Sequence, residues 1–233
     1  MQNTISAFWT SERSLSVLLW VLAITLFVAT PLLTLVEAPT WERIVISMFF
    51  SLLVVSGVLS AWSDRRTRRL VLFAGLAPLS LLWIELVYHP PIFSLVNGGL
   101  RLGMVGLFAA VLLGRVLAEG RITSARIKGA IAVYLLIGVM FQEAYRVLSI
   151  ASPGSLSVHA SNPMSVKYTA ELLYFSFSTL TTAGYGDIVP IHPLARSMAN
   201  GEAIVGQLYI VLLIGRLLTL SMAQLPGEAP PKP

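Results

Sequence analysis

Residues 178–190 read Ser178-Thr-Leu-Thr-Thr-Ala-Gly-Tyr-Gly-Asp-Ile-Val-Pro190. What flanks this stretch decides the fold. On one side lies a short apolar piece, about residues 168–180, and on the other a long apolar segment, 194–218. In water the run Thr182-Ala183-Gly184-Tyr185-Gly186 is an ordinary turn. In a bilayer, non-helical backbone persists only where protein buries it or where it lines a wet cavity. A glycine-rich run in that setting is a candidate ion path. An alkali cation crossing a membrane has to exchange its water shell for fixed oxygens. Peptide carbonyls can supply them if successive residues turn them the same way, and Gly184 and Gly186 tolerate the dihedral angles this demands.

The membrane setting follows from composition. Of 233 residues, 56% are hydrophobic and 12% charged, and the mean hydropathy is +0.79. A soluble domain cannot hide so much apolar surface, and repeated apolar stretches near 20 residues indicate spanning helices. Six long segments are expected, at about 15–36, 44–62, 70–88, 95–117, 130–148 and 194–218. The piece at 168–180 is too short to cross and is expected to be re-entrant. The first residues are mixed polar and the apolar stretch after them is too long for a cleavable signal core. Cysteine is absent, which excludes disulfides, thiolate metal sites and cysteine nucleophiles. His89, His159 and His192 are scattered and give no metal spacing, and no catalytic constellation is visible.

The arginines set orientation. Arg65, Arg66, Arg68 and Arg69 lie between the second and third segments, and Arg115, Arg121, Arg126 and Lys128 follow the fourth. That asymmetry fits the positive-inside rule rather than a nucleic-acid patch, and predicts cytoplasmic termini with an even number of spans. The expected organisation is a four-helix unit over 1–120, a basic linker over 121–128, a helix–loop–helix unit over 129–220 and a disordered tail over 221–233. The linker is expected to form a short helix on the inner membrane surface.

On the residues 181–187, Thr-Thr-Ala-Gly-Tyr-Gly-Asp, the chain resembles the tetrameric potassium channels. The resemblance covers about 131–218. It implies an all-α membrane protein with six spans, a re-entrant pore helix and filter loop, and a homotetramer in the cell membrane, with lipids around it. It implies potassium as the transported ligand, held by the carbonyls of Thr182, Ala183, Gly184 and Tyr185, with the Thr182 hydroxyl at the inner site and Gly186 at the outer mouth; no cofactor is implied. Tyr185 would brace the filter against the pore helix, and Thr181 would support it. Asp187 matches the outer-mouth carboxylate, and Tyr174 stands where relatives place an aromatic donor that holds it; core packing is the other reading of Tyr174. Phe175 cannot donate at a position that often does, Ser178 falls where some members carry a buried acid, and Ala183 replaces the usual valine. The filter tyrosine separates the chain from relatives with aspartate there, which discriminate poorly between sodium and potassium.

In the last segment Gly206 follows Gly186 at the spacing of the family's hinge glycine, although close packing explains a helical glycine equally well. Ala203, Gln207, Ile210 and Ile214 share a stripe, which the resemblance turns towards the cavity; Gln207 would form a polar ring there or bond a neighbouring helix. Glu202, an ionisable group within the membrane, is a functional candidate grouped with the cavity residues: it could back the pore helix or adjust the field near the cavity, and its partner is not visible in sequence. The fourth segment carries Arg101 and then nothing basic until Arg115, so a voltage sensor of the repeated-arginine kind is not expected. A Glu85–Arg101 ion pair, a Glu143–Arg146 pair and close packing through Gly99 and Gly103 are. Rival readings are a non-selective cation channel, a potassium-transporter subunit and a non-conducting regulatory subunit.

Overall fold

The computed structural model describes residues 16–29, 51, 69, 75–76, 80, 91–117, 123–160, 162 and 165–222. The expected segments at 44–62 and 70–88 lie almost wholly outside the described residues, as does Glu85. Five helices can be followed: α1 (Ser16–Val28), α2 (Pro91–Leu117), α3 (Ser124–Ala151), α4 (Val166–Leu180) and α5 (Pro193–Met222). There is no strand among the described residues; an isolated antiparallel bridge joins Leu156 to Pro190.

α2 and α3 are each long and apolar enough to cross a bilayer. α4, with 15 residues, reaches only about 22 Å at the rise of an α-helix and falls short of a hydrocarbon core of about 30 Å. The re-entrant expectation for 168–180 rests on that length. α5, with 30 residues, is about 45 Å long by the same rise. Pro193 opens it at the first helical position, where a missing N–H costs nothing, and the His192 Nδ1 accepts the Leu194 N–H at 3.2 Å.

The basic linker differs from expectation. Thr123 caps α3, its side chain accepting from the Arg126 N–H, so residues from Ser124 onward are the first turn of the long helix α3 and not a separate short helix. Lys128 Nζ donates to Ser16 Oγ at 2.9 Å, which ties the start of α1 to the start of α3.

Two cores organise the bundle. One gathers Leu18, Leu22 and Leu26 of α1, Val105, Phe108 and Leu112 of α2, Leu136 and Val139 of α3, and Leu180. The fourfold spacing on α1 and the three- and four-residue steps on α2 put each set on one stripe. The second core holds Tyr145, Leu172, Phe175, Ile188 and Ala195. Between helices in lipid the driving force is close packing rather than exclusion of water, so small residues at contacts carry unusual weight. At the α2–α3 contact that residue is Gly98, where a Cβ would stand 2.8 Å from Val147 Cγ2. Gly99 and Gly103 have no described atom within 4 Å of such a Cβ, so the expected G-x-x-x-G step does not make this contact.

The buried charges meet at the same interface. Arg101 lies 3.5 Å from Glu143 and Arg146 lies 3.7 Å from it, and all three are buried. The Glu143–Arg146 pair matches its i,i+3 spacing. The described carboxylate beside Arg101 is Glu143 on α3, which links α2 to α3.

Candidate functional site

α4 is seated by two glycines on different helices. A Cβ on Gly138 of α3 would stand 2.7 Å from the Phe177 ring, and a Cβ on Gly206 of α5 would stand 2.0 Å from the Leu180 carbonyl oxygen. Only glycine lets α4 lie this close to both neighbours. Contact with α4 therefore accounts for Gly206 by packing, without a bend. Leu172, Phe175, Ser176 and Leu180 turn into the protein, whereas Tyr174 is 41% exposed. Phe175 meets the Tyr145 ring edge to face at 5.0 Å and 68°.

The helix ends at Thr181, whose hydroxyl donates to the Phe177 carbonyl at 2.7 Å. From there the backbone alternates in hand: φ is +59° at Thr182, +57° at Gly184 and +84° at Gly186, while Ala183 and Tyr185 between them stay negative. Alternating handedness turns like groups of successive peptides to one side. Thr182 makes the pattern costly, because a β-branched residue at positive φ is a true outlier, and such sites cost about 1–3 kcal/mol.

The hydrogen bonds explain how the strain is held. The Thr182 N–H donates to the Thr179 carbonyl at 2.9 Å, and the Gly184 N–H to the Ser178 carbonyl at 3.2 Å. The Tyr185 N–H donates to Ser178 Oγ at 3.4 Å, and Gln207 Nε2 donates to Thr182 Oγ1 at 3.0 Å. Donors of the loop are thus drawn back onto the end of α4. Within the described chain no hydrogen bond engages the carbonyls of residues 182–186, and residues 181–187 are all exposed. Tyr185 stacks on Tyr174 with centroids 5.8 Å apart and planes 9° from parallel. Beyond Asp187 the chain is clamped to the loop after α3: Ser157 N–H to the Val189 carbonyl at 2.9 Å, Val189 N–H to Ser157 Oγ at 3.1 Å, and Ile191 N–H to the Ser155 carbonyl at 2.9 Å.

Of the residues grouped with the cavity, Gln207 is exposed and touches Thr182, Ile210 is exposed, and the Ile214 side chain lies outside the described residues. Glu202 sits behind α4, one of the two places open to it. It is fully buried, one oxygen taking the Tyr145 hydroxyl at 2.7 Å and the other meeting Ser176 Oγ. A carboxyl group placed away from water needs such donors, which is why it faces α3 and α4. Sequence reasoning missed Tyr145, Ser176 and Gly138. A buried acid on one helix calls for hydroxyls on its neighbours, and Ser176 is the apolar piece's most central serine or threonine.

Residues 132–222 match the model of a family described as ion channel. The match runs from within α3 to the end of α5. The match supports ion-channel activity for this part of the chain, and together with the two long apolar helices it supports a place in a membrane. No curated protein and no solved structure matches the chain.

Proposed function

We propose that the chain is a potassium-selective channel, conducting passively through rings of backbone carbonyls contributed by four copies of residues 182–186. The observation that carries this reading is the pairing of alternating φ signs with unengaged carbonyls over that run. A cation losing its hydration shell needs oxygens that are fixed and not otherwise bonded. The C-terminal end of α4, with its partial negative charge, sits directly before the run and favours a cation there.

One copy supplies one strand of oxygens, so the reading requires assembly about an axis. The exposed apolar residues Ile204, Leu208, Val211 and Leu212 of α5 support it. So does an apolar cavity of about 510 Å³ beside the loop, lined by Leu26, Phe27, Tyr134, Leu173, Tyr174 and Tyr185. In this reading Gln207 lies beneath the filter, and Gly206, Ile210 and Ile214 belong to the lining helix. Residues 129–220 form the pore unit, and residues 1–120 surround it with four of the six spans in the cell membrane, both termini cytoplasmic. Gating does not follow a repeated-arginine voltage sensor.

The test is flux into liposomes holding the purified full chain. Potassium uptake well above sodium uptake is expected. Equal uptake of both ions would mark a non-selective cation pore, and no uptake would sink the proposal.

A further inference from the structure

We infer that Glu202 is a positioning residue for ion selection: its carboxyl group is the junction that fixes how α4 is rotated, and through Ser178 how the loop at 182–186 is held. The inference rests on the channel reading above. It starts from a three-helix contact. Glu202 on α5 meets Tyr145 on α3 with one oxygen and Ser176 on α4 with the other, and Ser176 Oγ also donates to the Gly138 carbonyl on α3 at 2.8 Å. Glu202, Ser176 and Tyr145 are all fully buried.

The junction lies close to the loop in sequence and on the same helix. Ser178 is two residues beyond Ser176, and it receives both the Gly184 and the Tyr185 N–H. Residues two apart on a helix point about 200° from one another, so Ser176 faces the protein interior while Ser178 faces the loop. A rotation of α4 that breaks the Ser176 contact therefore swings Ser178 in the opposite sense. The two loop donors would lose their acceptors, and the carbonyls between them their common direction. The glycine contacts at Gly138 and Gly206 set how near α4 lies, and the side-chain junction at Ser176 sets its rotation.

Glutamine can join the same partners, with the direction of the Ser176 bond reversed. Its carbonyl accepts from Tyr145, its amide donates to Ser176, and Ser176 keeps its own proton for Gly138. Alanine can make none and leaves two buried hydroxyls short of a partner.

The experiment compares Glu202→Gln, Glu202→Ala and Ser176→Ala in the full chain, assembled and reconstituted in liposomes, with the potassium-to-sodium flux ratio as readout. Glu202→Ala and Ser176→Ala are expected to lower the ratio roughly tenfold, the effect of losing one buried hydrogen-bond partner, while Glu202→Gln retains most of it. A wild-type ratio in assembled Glu202→Ala or Ser176→Ala would overturn the inference, and so would a Glu202→Gln protein as impaired as the alanine variant. If Glu202→Ala does not assemble, Ser176→Ala and Glu202→Gln decide alone. Wild-type liposomes that do not favour potassium refute the channel reading instead, and the junction is then judged by melting temperatures of the single and double alanine variants: non-additive losses uphold it and additive losses overturn it.

Discussion

The two sides of α4 are finished to different degrees. Its inward side is complete within one chain: Leu172, Phe175 and Leu180 are buried, Gly138 and Gly206 touch it at distances no Cβ would allow, and Ser176 has its hydroxyl partners. Its outward side is not. Tyr174 and Tyr185 stack on each other yet stay 41% and 72% exposed, the carbonyls of 182–186 take no hydrogen bond from the described residues, and α5 shows apolar residues at Ile204, Leu208 and Val211. A chain that seats one half of a helix this tightly has the other half left for something else to complete. On the proposed reading, that is further copies of itself and the ions between them.

The contrast can be broken most severely at the loop. Gly184→Ala places a Cβ at φ +57°, where an L-residue costs about 1–2 kcal/mol. Nothing lies within 4 Å of that Cβ, so the inward side should be untouched. Potassium flux is expected to vanish while the assembled protein survives mild detergent; unchanged flux would remove the loop from the conduction path. Gly206→Ala attacks the inward side instead. The new Cβ meets backbone, the Leu180 carbonyl, which cannot turn aside. A loss of stability of about 3 kcal/mol is expected from overpacking of this kind, read as a lower melting temperature of the purified protein. A variant that melts like the wild type would show that α4 and α5 are not in this contact. Thr123→Ala lies far from both sides and sharpens the contrast as a control. Removing an N-cap hydroxyl costs about 1 kcal/mol, so a small drop in melting temperature with unaltered ion selection is expected.

The same contrast separates what could be read in the sequence from what could not. The glycine run, its length relative to the bilayer and the short helix before it follow from local rules, because φ preference and apolar length are properties of a few adjacent residues. The spacing of Glu143 and Arg146 on one helix was legible for the same reason. Contacts between helices were not. For Gly206 the sequence leaves hinge and close packing equal, because its neighbour across the interface, Leu180, is distant in sequence; for Glu202 it leaves the pore helix and the cavity both open, because nothing local tells which side of α5 it faces. The stripe through Ala203, Gln207 and Ile210 is a matter of helical period, whereas the turn of Glu202 towards Tyr145 and Ser176 depends on how three helices meet. Gly98 rather than Gly99 and Gly103 makes the close contact on α2, because the face of that helix is chosen by Val147 on α3.

The clamp between residues 155–157 and 189–192 gives the exposed loop a second fixed end. Surface loops ordinarily absorb an extra residue with little consequence. Here both tethers are set, at Ser178 below and at Val189 above, and one inserted residue adds up to about 3.5 Å of slack. That stretch works as a ruler: its length is as much a part of its chemistry as its side chains, and a deletion or insertion between the tethers will be worse tolerated than almost any substitution in the same place.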